Sequence, residues 1–408
     1  MNKDIKVTMM GLGYIGLPTA ALIASQKIQV TGVDINAQVI ETVNKGEIHI
    51  IEPDLEGLVK YTVEKGYLRA RLDVVASDVY LIAVPTPFKD NHVPDISYVQ
   101  AAIQHIIPLL KAEDLVIIES TSPVGTTEKM LELIGHTRPE IVEQVHLAYC
   151  PERVLPGKII YELERNDRVI GGINEVATQK AIEFYQLFVK GTLHKTNART
   201  AEMCKLVENS SRDVNIAFAN ELSLICDKAA INVWELINLA NRHPRVNILQ
   251  PGPGVGGHCI AVDPWFIVHD FPKEAQMISQ ARNINNYKTE WVIEKVKNAA
   301  LEFELNHQRK PLVACLGLTF KPNIDDLRES PAKYIADSLF QQGLNLLFVE
   351  PNIESYNEQP LTSPKEAIQK ADLIVLLVAH QKFQTLKAQL LTTEARVLDF
   401  CGFTHQSK

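Results

Sequence analysis

The sequence predicts an α/β protein built from two parallel-sheet lobes joined by a central helical region. Three observations predict it. A strand-like run, a GxGxxG turn and an apolar helix open the chain over residues 5–24; no Gly or Pro interrupts Ala198 to His243; a second alternation of strands and helices begins after Arg309. Alternation of this kind builds parallel sheets covered on both faces, with ligands at the carboxyl ends of the strands.

The elements follow in order. IKVTMM (5–10) reads as a strand, Leu17 to Ala24 as a helix, and Gln29 to Val33 as a second strand that ends at Asp34. Further strand-like runs, Val79 to Val84, Leu115 to Glu119 and Val145 to Tyr149, are separated by helical stretches. In the middle of the chain Val207, Val214, Phe218, Leu222 and Ile225 recur at helical spacing, which predicts a long helix with Thr200 as its N-cap. Asn232 and Glu235 resemble a capping box that opens the next helix, and a third helical stretch covers about Glu274 to Glu304. The last lobe has strands at Leu312–Leu316, Asn345–Val349 and Leu373–Val378, and a helix opened by Ser330 and Pro331. The expected domains are 1–200, 201–305 and 306–408.

Composition narrows the function. With 408 residues, 46% hydrophobic and 22% charged, the chain has the balance of a globular protein. The longest apolar run, Leu373 to Ala379, is far short of the roughly 20 residues of a membrane-spanning helix. The N-terminus enters a strand and a glycine turn with no leader pattern, so a cytoplasmic protein without a membrane partner is expected. A net charge of −8 without a basic stripe argues against nucleic acid. Six cysteines with no CxxC or Cys/His ligand spacing argue against a disulfide framework and a metal site.

Gly11, Gly13 and Gly16, with Tyr14 and Ile15 between them, form GxGxxG directly after the first strand, and Asp34 ends the next. Glycine permits the tight turn, the close backbone approach to a pyrophosphate and the helix–sheet packing; the helix N-terminus then faces the phosphates. Asp34 would accept from the adenosine ribose and repel a 2′-phosphate, so NAD is expected rather than NADP. VPTP (84–87) and STSPVGTT (120–127) bring Thr86, Thr121 and Thr127 to other strand ends as candidates for lining the cofactor cleft, with plain turn chemistry as the alternative.

PGPGVGGHCIAVDP (251–264) is the most unusual segment. Its glycines let a backbone wrap closely around a ligand, and Cys259 within it is a candidate nucleophile or a packed thiol. Asp263 before Pro264 fits a helix N-cap and a proton-transfer group alike. Lys205, Asn209 and Arg212 share one face of the long helix, and Glu152 and Arg153 in CPERV follow a strand. Lys321 and Arg328 lie near a strand end and a helix start, where they suit a phosphate or a solvated surface.

The sequence resembles the UDP-glucose/GDP-mannose dehydrogenase family along nearly its whole length. The resemblance is carried by GLGYIGLPTA (11–20), GVDIN (32–36), STSPVGTTEK (120–129), CPERVLPG (150–157), EMCKLVENSSRDVNIAFANE (202–221), HPRVNILQPGPGVGGHCIAVDPWF (243–266) and FKPNIDDLRESP (320–331). It implies two Rossmann-like lobes, the first for NAD and the last for UDP, and a central helical dimerisation region in a homodimer. It also implies a four-electron oxidation of a sugar 6-hydroxyl to carboxylate with two NAD⁺, through a thioester on the loop cysteine.

Carried over to matching positions, the resemblance makes Cys259 the nucleophile. Lys205 would stabilise the alkoxide, Asn209 would hold the reacting oxygen and a water, and Asp263 and Glu152 would handle base and water in hydrolysis. Arg153, Val154, Arg212, His243, Arg245, Gly256 and Lys321 match positions around the substrate, as Lys205 and Asn209 also do, and Arg328 matches a cofactor or diphosphate contact. The UDP-glucose branch has Asn-Pro-Glu-Phe-Leu and a lysine before the loop aspartate, where this chain has Cys150-Pro151-Glu152-Arg153-Val154 and Val262. That points to a UDP-N-acetylhexosamine, expected to be the mannosamine epimer, oxidised for a bacterial surface polysaccharide such as enterobacterial common antigen. The alternatives are the glucosamine epimer, a two-electron alcohol dehydrogenase that needs no thiol, and a non-catalytic NAD or nucleotide-sugar sensor.

Overall fold

The structure is a computed structural model and describes residues 4–89, 92–155, 157–356 and 359–405. Pro156 of CPERVLPG and the end of the expected third domain, 406–408, lie outside the described residues. The chain divides into two compact units, Met1–Glu208 and Asn209–Lys408.

The strands of the first unit are β1 (Lys6–Met10), β2 (Gln29–Val33), β3 (Leu68–Arg71), β4 (Val79–Ile82), the short hairpin β5 (Phe88–Lys89) and β6 (Val93–Pro94), β7 (Leu115–Ile118), β8 (His146–Tyr149), β9 (Arg168–Gly172) and β10 (Leu193–Asn197). Eight of them form one sheet in the order β10-β9-β8-β7-β4-β1-β2-β3, parallel except where β8 meets β9. The run β3-β2-β1-β4-β7-β8 is the doubly wound order, whose topological switch lies between β1 and β4. Every residue of β4, β7 and β8 is buried, as a sheet covered on both faces requires.

Helices α1 (Gly16–Ser25), α2 (Ala37–Asn44), α3 (Leu55–Glu64), α4 (Ser97–Ile106), α5 (Thr126–Thr137), α6 (Ile159–Arg165) and α7 (Glu175–Tyr185) cover the two faces. Strand side chains alternate between two cores: Met9, Leu81 and Ile117 pack into one, and Met10, Ile82 and Ile118 into the other.

Helix α8 (Ala198–Lys228) follows β10 directly. Its N-terminus is capped by Asn197, whose Oδ1 accepts from Thr200 N at 2.9 Å, so the expected Thr200 cap is corrected by three residues. Helices α9 (Val233–Ala240), α10 (Asp263–Asp270) and α11 (Gln276–His307) complete the helical region. Asn232 caps α9 by accepting from Trp234 N and Glu235 N. A buried polar seam runs through this region: Asp213 Oδ1 accepts from Arg282 Nη1 at 2.6 Å and Asn285 Nδ2 at 2.8 Å, and Lys288 Nζ donates to Ser223 Oγ at 2.7 Å.

The last sheet is wholly parallel, in the order β12-β11-β13-β14, from β11 (Leu312–Leu316), β12 (Asn345–Val349), β13 (Leu373–Leu376) and β14 (Arg396–Asp399). Its helices are α12 (Pro331–Gln341), α13 (Pro364–Lys370) and α14 (Lys387–Thr392), and Ser330 Oγ caps α12 by accepting from Lys333 N. Among the described residues no helix is long and apolar enough to cross a membrane.

Candidate active site

At the carboxyl end of β1 the chain turns through Gly11 at φ +92°, and Gly11 N donates to Val33 O at 2.8 Å. A Cβ on Gly11 would meet Ala83 O at 2.5 Å and one on Gly16 would meet Gly11 O at 1.9 Å, so both positions exclude any side chain. Gly13 is different: nothing lies within 4 Å of its Cβ position, and this open backbone is where a pyrophosphate can come close. Tyr14 is exposed and Ile15 half-buried, immediately before α1. Asp34 Oδ2 accepts from Leu12 N and Oδ1 from Asn36 N, each at 2.9 Å, and the half-buried carboxylate keeps acceptor capacity for a ribose hydroxyl. These residues fit a dinucleotide.

Two neighbouring strand ends are tied together by Ser120, whose Oγ accepts from Val84 N at 2.9 Å and donates to Val84 O at 2.8 Å. Thr86 and Thr121 are half-buried on these turns. Thr127 is buried, and its N–H and hydroxyl donate to Glu202 Oε1 at 2.8 and 2.7 Å, while Gly125 N donates to Oε2 at 2.6 Å. Sequence reasoning missed Glu202, because its partners lie about 75 residues away and leave no local pattern.

Glu152, just past β8, is buried, with Oε1 accepting from Arg153 N at 2.6 Å and Oε2 from Arg168 Nη2 at 3.2 Å. Its backbone carbonyl accepts from Lys205 Nζ at 2.8 Å, so the first unit brings Glu152 and Lys205 together. Arg168 was also missed; its only sequence signal is a charged residue opening the run RVIGG. The Arg153 guanidinium donates to Glu208 Oε1 and Asp167 O, and Val154 packs against the core.

In the second unit Asn209 Nδ2 donates to Asp263 Oδ2 at 2.5 Å. Asp263 is the first residue of α10, not its N-cap: Val262 holds that place without a side-chain bond, and the Asp263 side chain faces Asn209 instead. Cys259 is half-buried in the turn before α10, where its carbonyl accepts from Asp263 N at 2.8 Å and Val262 N at 3.1 Å. Burial pushes the thiols of Cys150 and Cys315 up to about 11 and about 12, and those of Cys226 and Cys401 upward as well.

The loop glycines have a reason the sequence did not show. A Cβ on Gly256 would meet Glu329 O at 2.4 Å, one on Gly257 the Phe320 ring at 2.9 Å, and one on Gly254 Thr289 Oγ1 at 2.3 Å, so the loop is seated on the protein itself. Arg328 is held by Asp326, with Nη2 to Oδ2 at 2.6 Å, and Lys321 is exposed. Arg212, His243 and Arg245 are exposed on α8 and on the segment after α9.

Comparison with known proteins decides the family. Residues 5–189 match the NAD binding domain of the UDP-glucose/GDP-mannose dehydrogenase family, residues 199–287 its central domain and residues 314–406 its UDP binding domain. The chain belongs to this family. It is an NAD-dependent nucleotide-sugar dehydrogenase. A relative from Escherichia coli named UDP-N-acetyl-D-mannosamine dehydrogenase is 55% identical over 93% of this chain and 94% of its own. One from Ralstonia nicotianae named NDP-N-acetyl-D-galactosaminuronic acid dehydrogenase is 52% identical over 97% and 95%. A solved structure of the UDP-N-acetyl-mannosamine dehydrogenase of Staphylococcus aureus superposes with a TM-score of 0.88 at 40% identity, covering 98% of this chain and 96% of that one.

Proposed function

We propose that this dehydrogenase oxidises C6 of UDP-N-acetyl-D-mannosamine to the carboxylate in two steps, through a thiohemiacetal and a thioester on Cys259, as a cytoplasmic enzyme of surface-polysaccharide synthesis. The observation that carries the substrate is the 55% identity over almost the full chain to a relative of that name. Gly11, Gly13, Gly16 and Asp34 would hold NAD, with Tyr14, Ile15, Thr86, Thr121, Thr127 and Arg328 around it; when bound, it supplies the hydride acceptor.

The chain's own groups divide the remaining work. The sulfur of Cys259 bonds to the aldehyde carbon and keeps the half-oxidised sugar in place, which turns a second encounter into an internal reaction. Cys259 lies on the turn ahead of the α10 N-terminus, where the helix dipole favours negative charge. Lys205 offers its ammonium to the developing alkoxide. The Asp263 carboxylate fixes the Asn209 amide, which then presents its other polar atoms to the reacting oxygen. Glu152 takes a proton from the water that releases the product. Arg153, Val154, Arg212, His243, Arg245, Gly256 and Lys321 are the proposed substrate contacts. Phe218, Ile225 and Leu239, exposed on α8 and α9, suit a homodimer contact made by the central helices.

A galactosamine-derived substrate is the second reading, supported by the 52% identical relative. A panel of UDP-hexoses and UDP-hexosamines with NADH counted per sugar separates the two. Two NADH per UDP-N-acetyl-D-mannosamine, with carboxylate as product, is expected. Faster turnover of another epimer would replace the substrate, and one NADH with free aldehyde would end the thioester mechanism.

A further inference from the structure

Arg168 has no role in the chemistry above, yet it carries a full charge inside the first unit at 4% exposure. Its guanidinium lies between two acids. Nη2 donates to Glu152 Oε2 at 3.2 Å, and Nη1 is 4.0 Å from Oε1 of Glu119, the buried residue after β7. Tyr185 on α7 donates its hydroxyl to Glu119 Oε1 at 2.6 Å and sets its ring 5.1 Å from the guanidinium carbon. Leu163 O and Cys150 Sγ complete the surroundings at 3.4 and 3.8 Å.

A buried ion pair adds little stability over apolar packing of equal volume, so stability alone does not explain this cluster. The cluster is also incompletely satisfied: Glu119 Oε2 and Arg168 Nε have no hydrogen-bond partner among the described residues. Incomplete pairing around a cation that grips a site carboxylate is the arrangement expected where charge placement matters.

We propose that Arg168 and Glu119 are positioning residues for Glu152 in hydrolysis of the thioester, an inference that rests on the reading of Glu152 given above. In that step a water oxygen bonds to the acyl carbon, the C–S bond breaks and sulfur leaves as thiolate. One water proton passes to the Glu152 carboxylate, and the other is lost to solvent as the product ionises. Arg168 fixes Oε2 while Arg153 N–H fixes Oε1, so the carboxylate has one orientation. Through the Glu152 carbonyl the same residue also holds Lys205 Nζ.

Glu119 makes the grip sensitive to pH. Burial pushes it from the ordinary 4.5 to about 7, against the pull of Arg168. As a neutral acid it leaves the guanidinium to Glu152, and as an anion it competes for it. The charged or titratable groups facing it are Arg168, Glu152, Tyr185 and Cys150.

The test uses the full-length enzyme and follows the first NADH by stopped flow and carboxylate release in the steady state, from about pH 6 to about pH 9. Arg168→Lys is expected to slow hydrolysis about tenfold, with KM for both substrates within about twofold and the first NADH unchanged. Glu119→Gln is expected to remove an inflection near neutrality from the hydrolysis profile. Should either variant fail to fold, Tyr185→Phe deletes the hydrogen bond that favours ionised Glu119, together with the hydroxyl's contact to the Cys150 thiol, and is expected to move that inflection to higher pH. Folded variants with the wild-type hydrolysis profile, or with both half-reactions slowed equally, would overturn the proposal. Glu152→Gln separates the two ideas: if it leaves hydrolysis intact, the reading of Glu152 fails; if it stops hydrolysis while the other variants do not, only the positioning role fails.

Discussion

Cys259 and Cys150 show how differently one residue type can be set. Cys150 is 0% exposed and its thiol is pushed up to about 11, so little thiolate exists near neutrality; Cys259 is half-buried on a turn before a helix. Replacing Cys259 by Ser is therefore expected to cut carboxylate formation by about 10³ or more while the first NADH still forms, whereas Cys204→Ser leaves both steps intact. Product analysis by NMR beside NADH counting checks this, and carboxylate made at the wild-type rate without that sulfur refutes it. Glu119 gives a prediction about stability. Its folded pKa is raised by burial, so its contribution is fully present below about 4.5 and gone once pH passes about 7. Glu119→Gln removes that dependence: its stability relative to wild type should climb between those limits, by at most on the order of 3 kcal/mol, and stay level above them. Chemical denaturation across the range measures the difference, and a constant offset contradicts the assignment.

The elements show what was legible in the sequence and what was not. Strands such as Leu312–Leu316 and Asn345–Val349 were readable to the residue, because an apolar run bounded by turn chemistry has few alternatives. The GxGxxG turn was readable because Gly11 and Gly16 each answer a backbone contact within their own unit of structure and Gly13 leaves its backbone open. Caps were harder: Asn197, rather than Thr200, accepts the first-turn N–H of α8, and Asp263 turns from its own helix to Asn209. Glu202 and Arg168 were out of reach, since their partners are brought to them only by the tertiary fold. Glu202 has an element-scale consequence. Helix α5 begins at a left-handed Gly125 with no side-chain cap of its own, and the Glu202 carboxylate from α8 takes Gly125 N, Thr127 N and the Thr127 hydroxyl. Glu202→Ala strands three donors and is expected to cost about 3 kcal/mol, with Glu202→Gln costing less. Hydrogen exchange should show amides of the first turn of α5 losing protection ahead of those of β7, and uniform loss along both would argue against a local cap.

Over the whole molecule the same opening is used twice, with opposite outcomes for the acid that ends the second strand. Gly11 and Gly317 adopt φ +92° and +90°, and each donates its N–H to the end of the neighbouring strand at 2.8 Å, to Val33 O and to Val349 O. Asp34 accepts from Leu12 N at 2.9 Å, and Glu350 accepts from Leu318 N at 2.8 Å. The likeness ends there. Asp34 is half-buried and keeps room for a ribose, whereas the Glu350 side chain is 0% exposed and is filled by Asn352 Nδ2 at 3.1 Å and His380 Nε2 at 2.9 Å. One acid is therefore free to serve a cofactor and the other is committed to the fold. Asp34→Ala is expected to raise KM for NAD by about tenfold or more, with a stability loss of about 1 kcal/mol for the stranded Leu12 N–H. Glu350→Ala is expected to do the reverse, costing about 3 kcal/mol because it strands several buried donors, while KM for NAD stays within about twofold. Steady-state kinetics and thermal unfolding on the two variants decide it, and a matched loss of NAD affinity in both would show that the second acid also serves the dinucleotide.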